Sequence, residues 1–327
     1  MSLQAAPIPT LDRVSKYRPA SSPGDTPPVD TGLRRVVTLG KRNNISNVKA
    51  RVGSQRRSYR RSATASAFRL PGINKKITSK SVMIMDAETG ETIYAKSADE
   101  PRQPASTIKV LTGMIALKSL KDDELVGVSR HAQRMPRSKI YLDTKKKYKA
   151  DDLINAVLLA SANDASVALA EKIAGSEKDF AAMMTLRAKL WGAKKTICRT
   201  ANGLTAKGQQ TTARDLARIF RHAMLDREFA ERMKKTKIRT SYGKLLRNHN
   251  KALWQVKGAV GGKTGYTHAA KQTYVGKFQR GDDAIIVAIM GSRTMWTDIR
   301  RLVDYGFKKK EQIRLAKLAK AEKVAVK

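Results

Sequence analysis

One cysteine, Cys198, stands in the whole sequence, which excludes an internal disulfide and a cysteine-built metal cluster. Long apolar runs are missing as well. No stretch approaches the roughly 18 residues that a membrane-crossing helix needs, and no basic-then-apolar leader opens the chain. Export would therefore rest on a signal outside this sequence. Acids are scarce: 28 Asp and Glu stand against 66 Lys and Arg, a formal net charge of +38. A surface of that sign seeks polyanions, whether nucleic acid, anionic membrane or acidic cell-wall polymer. Aromatic residues are only 6% of the chain, and no aromatic-rich basic strand or known binding module is visible. The charge is thus read as wall or membrane association, with no specific nucleic-acid binding. Nor do the histidines, His131, His222, His249 and His268, form an i, i+4 metal-ligand pair.

What is present divides the chain into three. Residues 1–80 carry Pro7, Pro9, Pro19, Pro23, Pro27 and Pro28, and their only acids are Asp12, Asp25 and Asp30. Arg51, Arg56, Arg57, Arg60 and Arg61 crowd one part of this segment. Like charges with few apolar residues cannot offset chain entropy, so 1–80 is expected to be a disordered basic arm. Residues 81–307 form the expected catalytic domain, and 308–327 a short, solvated basic tail.

Within the domain, Val82–Met85 and Thr92–Ala95 read as a β-hairpin around Glu88-Thr89-Gly90-Glu91. Ile108, Leu111 and Ile115, with Val110, Met114 and Leu117 beside them, predict a buried helix starting at Ser106. Two helices should meet at Ser161-Ala162-Asn163-Asp164, whose short polar side chains favour caps over helix interiors. Further helices are expected over 180–190 and 212–224. Strands follow over 261–267, 273–278 and 284–290, then a closing helix over 297–307. Strands, then helices, then strands predict an α/β (α+β) fold: an antiparallel sheet completed by both chain ends and flanked by helices, with a helical subdomain inserted between.

Three short elements carry chemistry. Ser106-Thr107-Ile108-Lys109 places an amine three residues from a hydroxyl, on one helix face. A serine attacks only after a base takes its proton, and a lysine is such a base only when burial or a second cation lowers its pKa. Ser161-Ala162-Asn163 sits at the helix junction, and Lys263-Thr264-Gly265 on a predicted strand followed by Tyr266. Each alone is a weak signal; Ser46–Lys49 and Ser241–Lys244 repeat the first spacing in unsuitable contexts. The ordered set is specific.

In that set the chain resembles the penicillin-binding proteins and serine β-lactamases, whose S-x-x-K, S-x-N and K-T-G elements have known roles. Asp86-Ala87-Glu88-Thr89-Gly90, Asn202-Gly203-Leu204, Thr212-Ala213-Arg214-Asp215-Leu216 and Gly265-Tyr266-Thr267 narrow the resemblance to the low-molecular-weight D-alanyl-D-alanine carboxypeptidases, over about residues 81–307. The resemblance implies an acyl-enzyme on Ser106 with Lys109 as base, release of terminal D-alanine from peptidoglycan stem peptides, and inactivation by β-lactams. No cofactor and no metal are implied. Ser161 would relay a proton to the leaving amine and Asn163 would hold a substrate amide. Lys263 and Thr264 would meet the substrate carboxylate, and Gly265 would let the backbone come close. The N–H groups of Ser106 and Tyr266 would form the oxyanion hole. Such an enzyme works outside the cytoplasm. Family members usually have glycine where Ala162 stands, and an arginine for the carboxylate is open between Arg293 and Arg300. A D,D-endopeptidase shares all three motifs; a polyanion-binding protein on an inactive scaffold is the other alternative. A β-lactamase would need a deacylating glutamate, and neither Glu171 nor Glu177 has a suitable context.

Overall fold

The computed structural model describes residues 72–325. Its centre is a five-stranded antiparallel sheet. Strand β1 (Ser81–Asp86) pairs with β2 (Thr92–Lys96), the expected hairpin, and on its other side with the last strand, β9. Between them in sequence lie α1 (Lys109–Ser119), β3 (Leu125–Val126), α2 (Arg130–Arg134), β4 (Tyr148–Lys149), α3 (Ala150–Leu158), α4 (Asn163–Ala174), α5 (Glu177–Leu190) and α6 (Ala213–Ala223). Then follow α7 (Arg227–Lys234), β5 (Lys237–Arg239), β6 (Leu245–Arg247), α8 (Ala252–Gln255), β7 (Ala259–Thr267), β8 (Lys271–Arg280), β9 (Asp283–Ser292) and α9 (Met295–Ala325). The sheet order is β2-β1-β9-β8-β7, so both ends of the domain complete one sheet around the helical insertion.

The alternation of side chains along a strand builds two cores from one sheet. Val82, Ile84, Ile285, Val287 and Ile289 face one way and pack with Ile299, Leu302 and Val303 of α9. Met83, Met85, Ile286, Ala288 and Met290 face the other way, against the helices of the insertion. All six residues of β1 are buried. That explains why its sequence reads as a continuous apolar run rather than an alternating one.

Three expectations shift. The helix forecast from Ser106 begins as a 3-10 turn, Ala105–Ile108, and becomes α-helical at Lys109. The Thr107 hydroxyl donates to Pro104 O at 2.6 Å and Ala105 takes φ +50°, which tightens the entry. Packed chain also starts before the boundary placed at residue 80. Ile73 and Ile77 are buried, and Asp298 accepts from Thr78 N at 3.0 Å and Ser79 Oγ at 2.6 Å. The rest of the forecast arm, 1–71, lies outside the described residues. Lastly, the segment after residue 307 is not a separate tail but the continuation of α9. Its cations find the acids of the adjoining sheet: Lys310 pairs with Asp86 at 3.0 Å and Asp283 at 2.9 Å, and Lys317 with Glu91 at 2.9 Å. No helix among the described residues is long and apolar enough to cross a membrane.

Candidate active site

The 3-10 turn keeps Ser106 and Lys109 on one side of the chain, since residues three apart eclipse in that geometry. Lys109 is fully buried, and its Nζ lies 2.9 Å from Ser106 Oγ, 2.7 Å from Asn163 Oδ1 and 2.7 Å from Asn202 O. Two of these three partners are carbonyl oxygens and can only accept. Once neutral, the amine would spend its two N–H bonds on Asn163 and Asn202 and leave its lone pair for the Ser106 hydroxyl. The pKa of Lys109 is pulled well below that of a free lysine, first by burial and then by the charge on Lys263.

Lys263 reaches in from the edge strand β7 and places Nζ 2.9 Å from Ser161 Oγ. It is 1% exposed, and burial lowers its pKa to about 7. Ser161 occupies the break between α3 and α4 with φ +59°, a conformation costly for a non-glycine residue and typical of functional turns. Asn163 opens α4 and is held in place from the neighbouring loop: its Nδ2 donates to Pro136 O at 2.9 Å and its N–H to Ser138 O at 2.7 Å. Ala162, in place of the family glycine, needs no left-handed backbone (φ −63°), and its methyl is buried in the helical core.

Gly265 brings β7 against Ser106. A Cβ there would lie 2.8 Å from Ser106 N and 2.5 Å from Thr273 Oγ1, so only glycine permits this approach. Thr264 is half-buried and Tyr266 is 57% exposed, with its ring edge-on to His268. Neither side chain hydrogen-bonds the other predicted site residues among the described residues. Among the described residues β7 ends the sheet and leaves one edge open for an added peptide strand. Beside the lysine pair, His249 is pulled down to about 4 by desolvation and by the charges on Lys263 and Lys109.

Sequence reasoning missed the Asn202 carbonyl as a partner of Lys109. The Asn202-Gly203 dipeptide signals a turn, but the atom it meets is decided by tertiary contact. Gly203 takes φ +81°, and a Cβ there would come 2.0 Å from Ala105 O, next to Ser106. Of the competing Ser–Lys pairs, Ser46–Lys49 lies outside the described residues. The other falls in the turn joining β5 and β6, where Ser241 Oγ donates to Asp152 at 2.5 Å and Lys244 Nζ to Ile140 O. Glu171 accepts from Ser129 Oγ at 2.9 Å and Glu177 from Ala201 N at 2.9 Å, both structural engagements. Arg293 follows Ser292, whose register partner Gln272 also pairs with Tyr266, whereas Arg300 lies further along α9.

A D-alanyl-D-alanine carboxypeptidase family model matches residues 65–294. The chain is 31% identical over 250 residues to the carboxypeptidase DacF of Bacillus subtilis, covering 71% of this chain and 63% of that protein. It is 32% identical over 236 residues to DacB2 of Mycobacterium tuberculosis, covering 69% and 81%. It thus spans less than two thirds of the Bacillus relative. A crystal structure of a D-alanyl-D-alanine carboxypeptidase from Mycobacterium tuberculosis superposes with TM-score 0.69 at 30% identity, over 75% of this chain and 95% of that one. The cefotaxime-bound penicillin-binding protein D2 of Listeria monocytogenes gives 0.66 at 27%, over 73% and 100%. With nine strands and nine α-helices among the described residues, in the arrangement given, and a family match over more than two thirds of its length, the chain belongs to the D-alanyl-D-alanine carboxypeptidase family of penicillin-binding proteins.

Proposed function

We propose that the chain is a serine D-Ala-D-Ala carboxypeptidase acting on peptidoglycan stem peptides. The observation that carries this is the Lys109 amine, buried among two carbonyl acceptors with the Ser106 hydroxyl 2.9 Å away. In the reaction Lys109 takes the hydroxyl proton as Ser106 Oγ bonds to the carbonyl carbon of the penultimate D-alanine. Charge gathering on the carbonyl oxygen is met by the N–H groups of Ser106 and Tyr266. The C–N bond then breaks, Ser161 passes a proton to the departing amine, and terminal D-alanine leaves. Water, deprotonated by the same lysine, releases the shortened peptide and restores Ser106. Asn163 holds a substrate amide. Lys263, Thr264 and, of the two arginines, Arg293 face the terminal carboxylate. The β-lactam bound in the Listeria relative supports acylation of Ser106 by the same class of compound.

The test is a tripeptide ending in D-Ala-D-Ala offered beside a cross-linked stem-peptide dimer. Release of free D-alanine from the tripeptide at a higher kcat/KM than dimer cleavage is expected. Dimer cleavage without D-alanine release would make the chain an endopeptidase instead.

This substrate places the enzyme outside the cytoplasm. The basic residues before position 72 are proposed to hold it to anionic wall polymers rather than to nucleic acid. A chain lacking residues 1–71 is expected to elute from immobilised teichoic acid at lower salt, with unchanged tripeptide hydrolysis. Elution at the same salt would exclude that role.

A further inference from the structure

Beside the loop that holds Asn163, three cations crowd one exposed aromatic ring. Arg137 Cζ lies 5.9 Å from the centre of the Tyr141 ring, and the Nζ atoms of Lys139 and Lys244 each lie 5.5 Å from it. Tyr141 is 57% exposed and takes φ +62°. Charges this near to one another repel through solvent, because their spacing is comparable with the Debye length. Among the described residues none of the three belongs to an ion pair.

The cluster is nevertheless fixed. Lys139 Nζ donates to Gln133 O at 2.9 Å and Lys244 Nζ to Ile140 O, contacts that position both ammonium groups without neutralising them. The carboxylate beneath the loop is that of Asp164, and it is fully buried. Its oxygens accept from the N–H groups of Ile140 and Leu142 at 3.1 Å and Ala165 at 2.9 Å. Asp164 therefore shapes the loop through backbone hydrogen bonds and forms no ion pair with the three cations. Two carbonyls of the same loop, Pro136 O and Ser138 O, bind Asn163. A positive cluster with no ion-pair partner among the described residues thus flanks the segment that positions Asn163.

We propose that Arg137, Lys139, Lys244 and Tyr141 form a specificity subsite for a carboxylate carried by the donor peptide on the amino side of the scissile D-alanyl residue. The inference rests on the carboxypeptidase reading. A peptide whose terminal carboxylate lies by Lys263 and whose amide meets Asn163 carries its preceding residues towards the loop of residues 136–141. There a carboxylate gains three attractive partners, and an ammonium group meets three like charges. The Tyr141 ring adds a cation–π contact to each cation.

The full chain is assayed with acetyl-Xaa-D-Ala-D-Ala, where Xaa is glutamate, its neutral near-isostere glutamine, or lysine. The expected order of kcat/KM is glutamate, glutamine, lysine, with about tenfold between the first two at low salt, as several partly screened charge pairs supply. The factor shrinks as ionic strength rises. In the combined Arg137→Gln, Lys139→Gln, Lys244→Gln variant the glutamate-to-glutamine ratio falls to about one. A ratio taken within one protein cancels any general loss of activity or folding. Equal rates for glutamate and glutamine in the parent, or an unaltered ratio in the variant, overturn the subsite. Turnover of none of the peptides, while a fluorescent penicillin still labels Ser106, overturns the carboxypeptidase reading and the subsite with it.

Discussion

Replacing Ser106 with alanine abolishes covalent labelling by a fluorescent penicillin and lowers tripeptide hydrolysis by roughly 10⁴-fold or more, the scale seen when an activated serine is removed from a hydrolase. The fold should survive. Ser106 is only half-buried, and in its absence Lys109 keeps its bonds to Asn163 Oδ1 and Asn202 O. The Ser161→Ala variant gives the contrast, because Ser106 and Lys109 remain: labelling is expected to slow but not to be lost. Intact mass after incubation reads both outcomes. A penicilloyl adduct on the Ser106→Ala protein would place the nucleophile elsewhere. An unlabelled but folded parent would mean that this geometry is retained without the chemistry, and the polyanion-binding reading would then take its place.

Most of the sheet was legible because its strands obey local rules: β1 and β2 flank a Thr-Gly turn, and β7, β8 and β9 are each bounded by turn residues. The helices of the insertion were legible from caps; Thr212 Oγ1 does accept from Asp215 N, at 3.0 Å, one residue before α6 begins. What escaped depends on partners distant in sequence. The α9 helix runs beyond Phe307 because Lys310 meets Asp86 and Asp283, and no window of sequence contains that pairing. Residues 72–80 are ordered because Asp298, some 220 positions away, collects their hydrogen-bond donors. The short β5–β6 hairpin, α7 and the two-residue strands β3 and β4 carry too few residues to show a period.

The site divides in the same way. Residue type and order singled out Ser106, Lys109, Ser161, Asn163, Lys263 and Gly265 as candidates, and the fold brings those six together. The spacing in S-x-x-K survived even though the helix start was misplaced, since both 3-10 and α geometry set residues three apart on one face. The backbone carbonyls of Pro136, Ser138 and Asn202 were invisible because every residue has a carbonyl and only the fold decides which of them is aimed.

Lys109→Met is expected to slow acylation by about 10²–10⁴-fold, the usual contribution of a positioned general base. Methionine matches the buried stem in length and apolarity, so the 3-10 turn and α1 should hold. The pH profile separates a base from a merely structural lysine. A base acts when unprotonated, and a lowered pKa brings that state into the working range. The charge on Lys263 contributes to lowering Lys109, so Lys109 gives up the first proton of the pair as pH rises. Penicillin labelling should therefore rise with pH as Lys109 deprotonates. It should fall again as Lys263 loses the charge that attracts the drug's carboxylate, from about 7 in the free protein and higher once that carboxylate is bound. In Lys109→Met the rising limb disappears and the falling limb stays; in Lys263→Met the falling limb disappears. A rising limb kept unchanged by the Lys109→Met protein would assign the base to another group. Were His249 the base, the rising limb would lie at about 4, where its ring loses its proton.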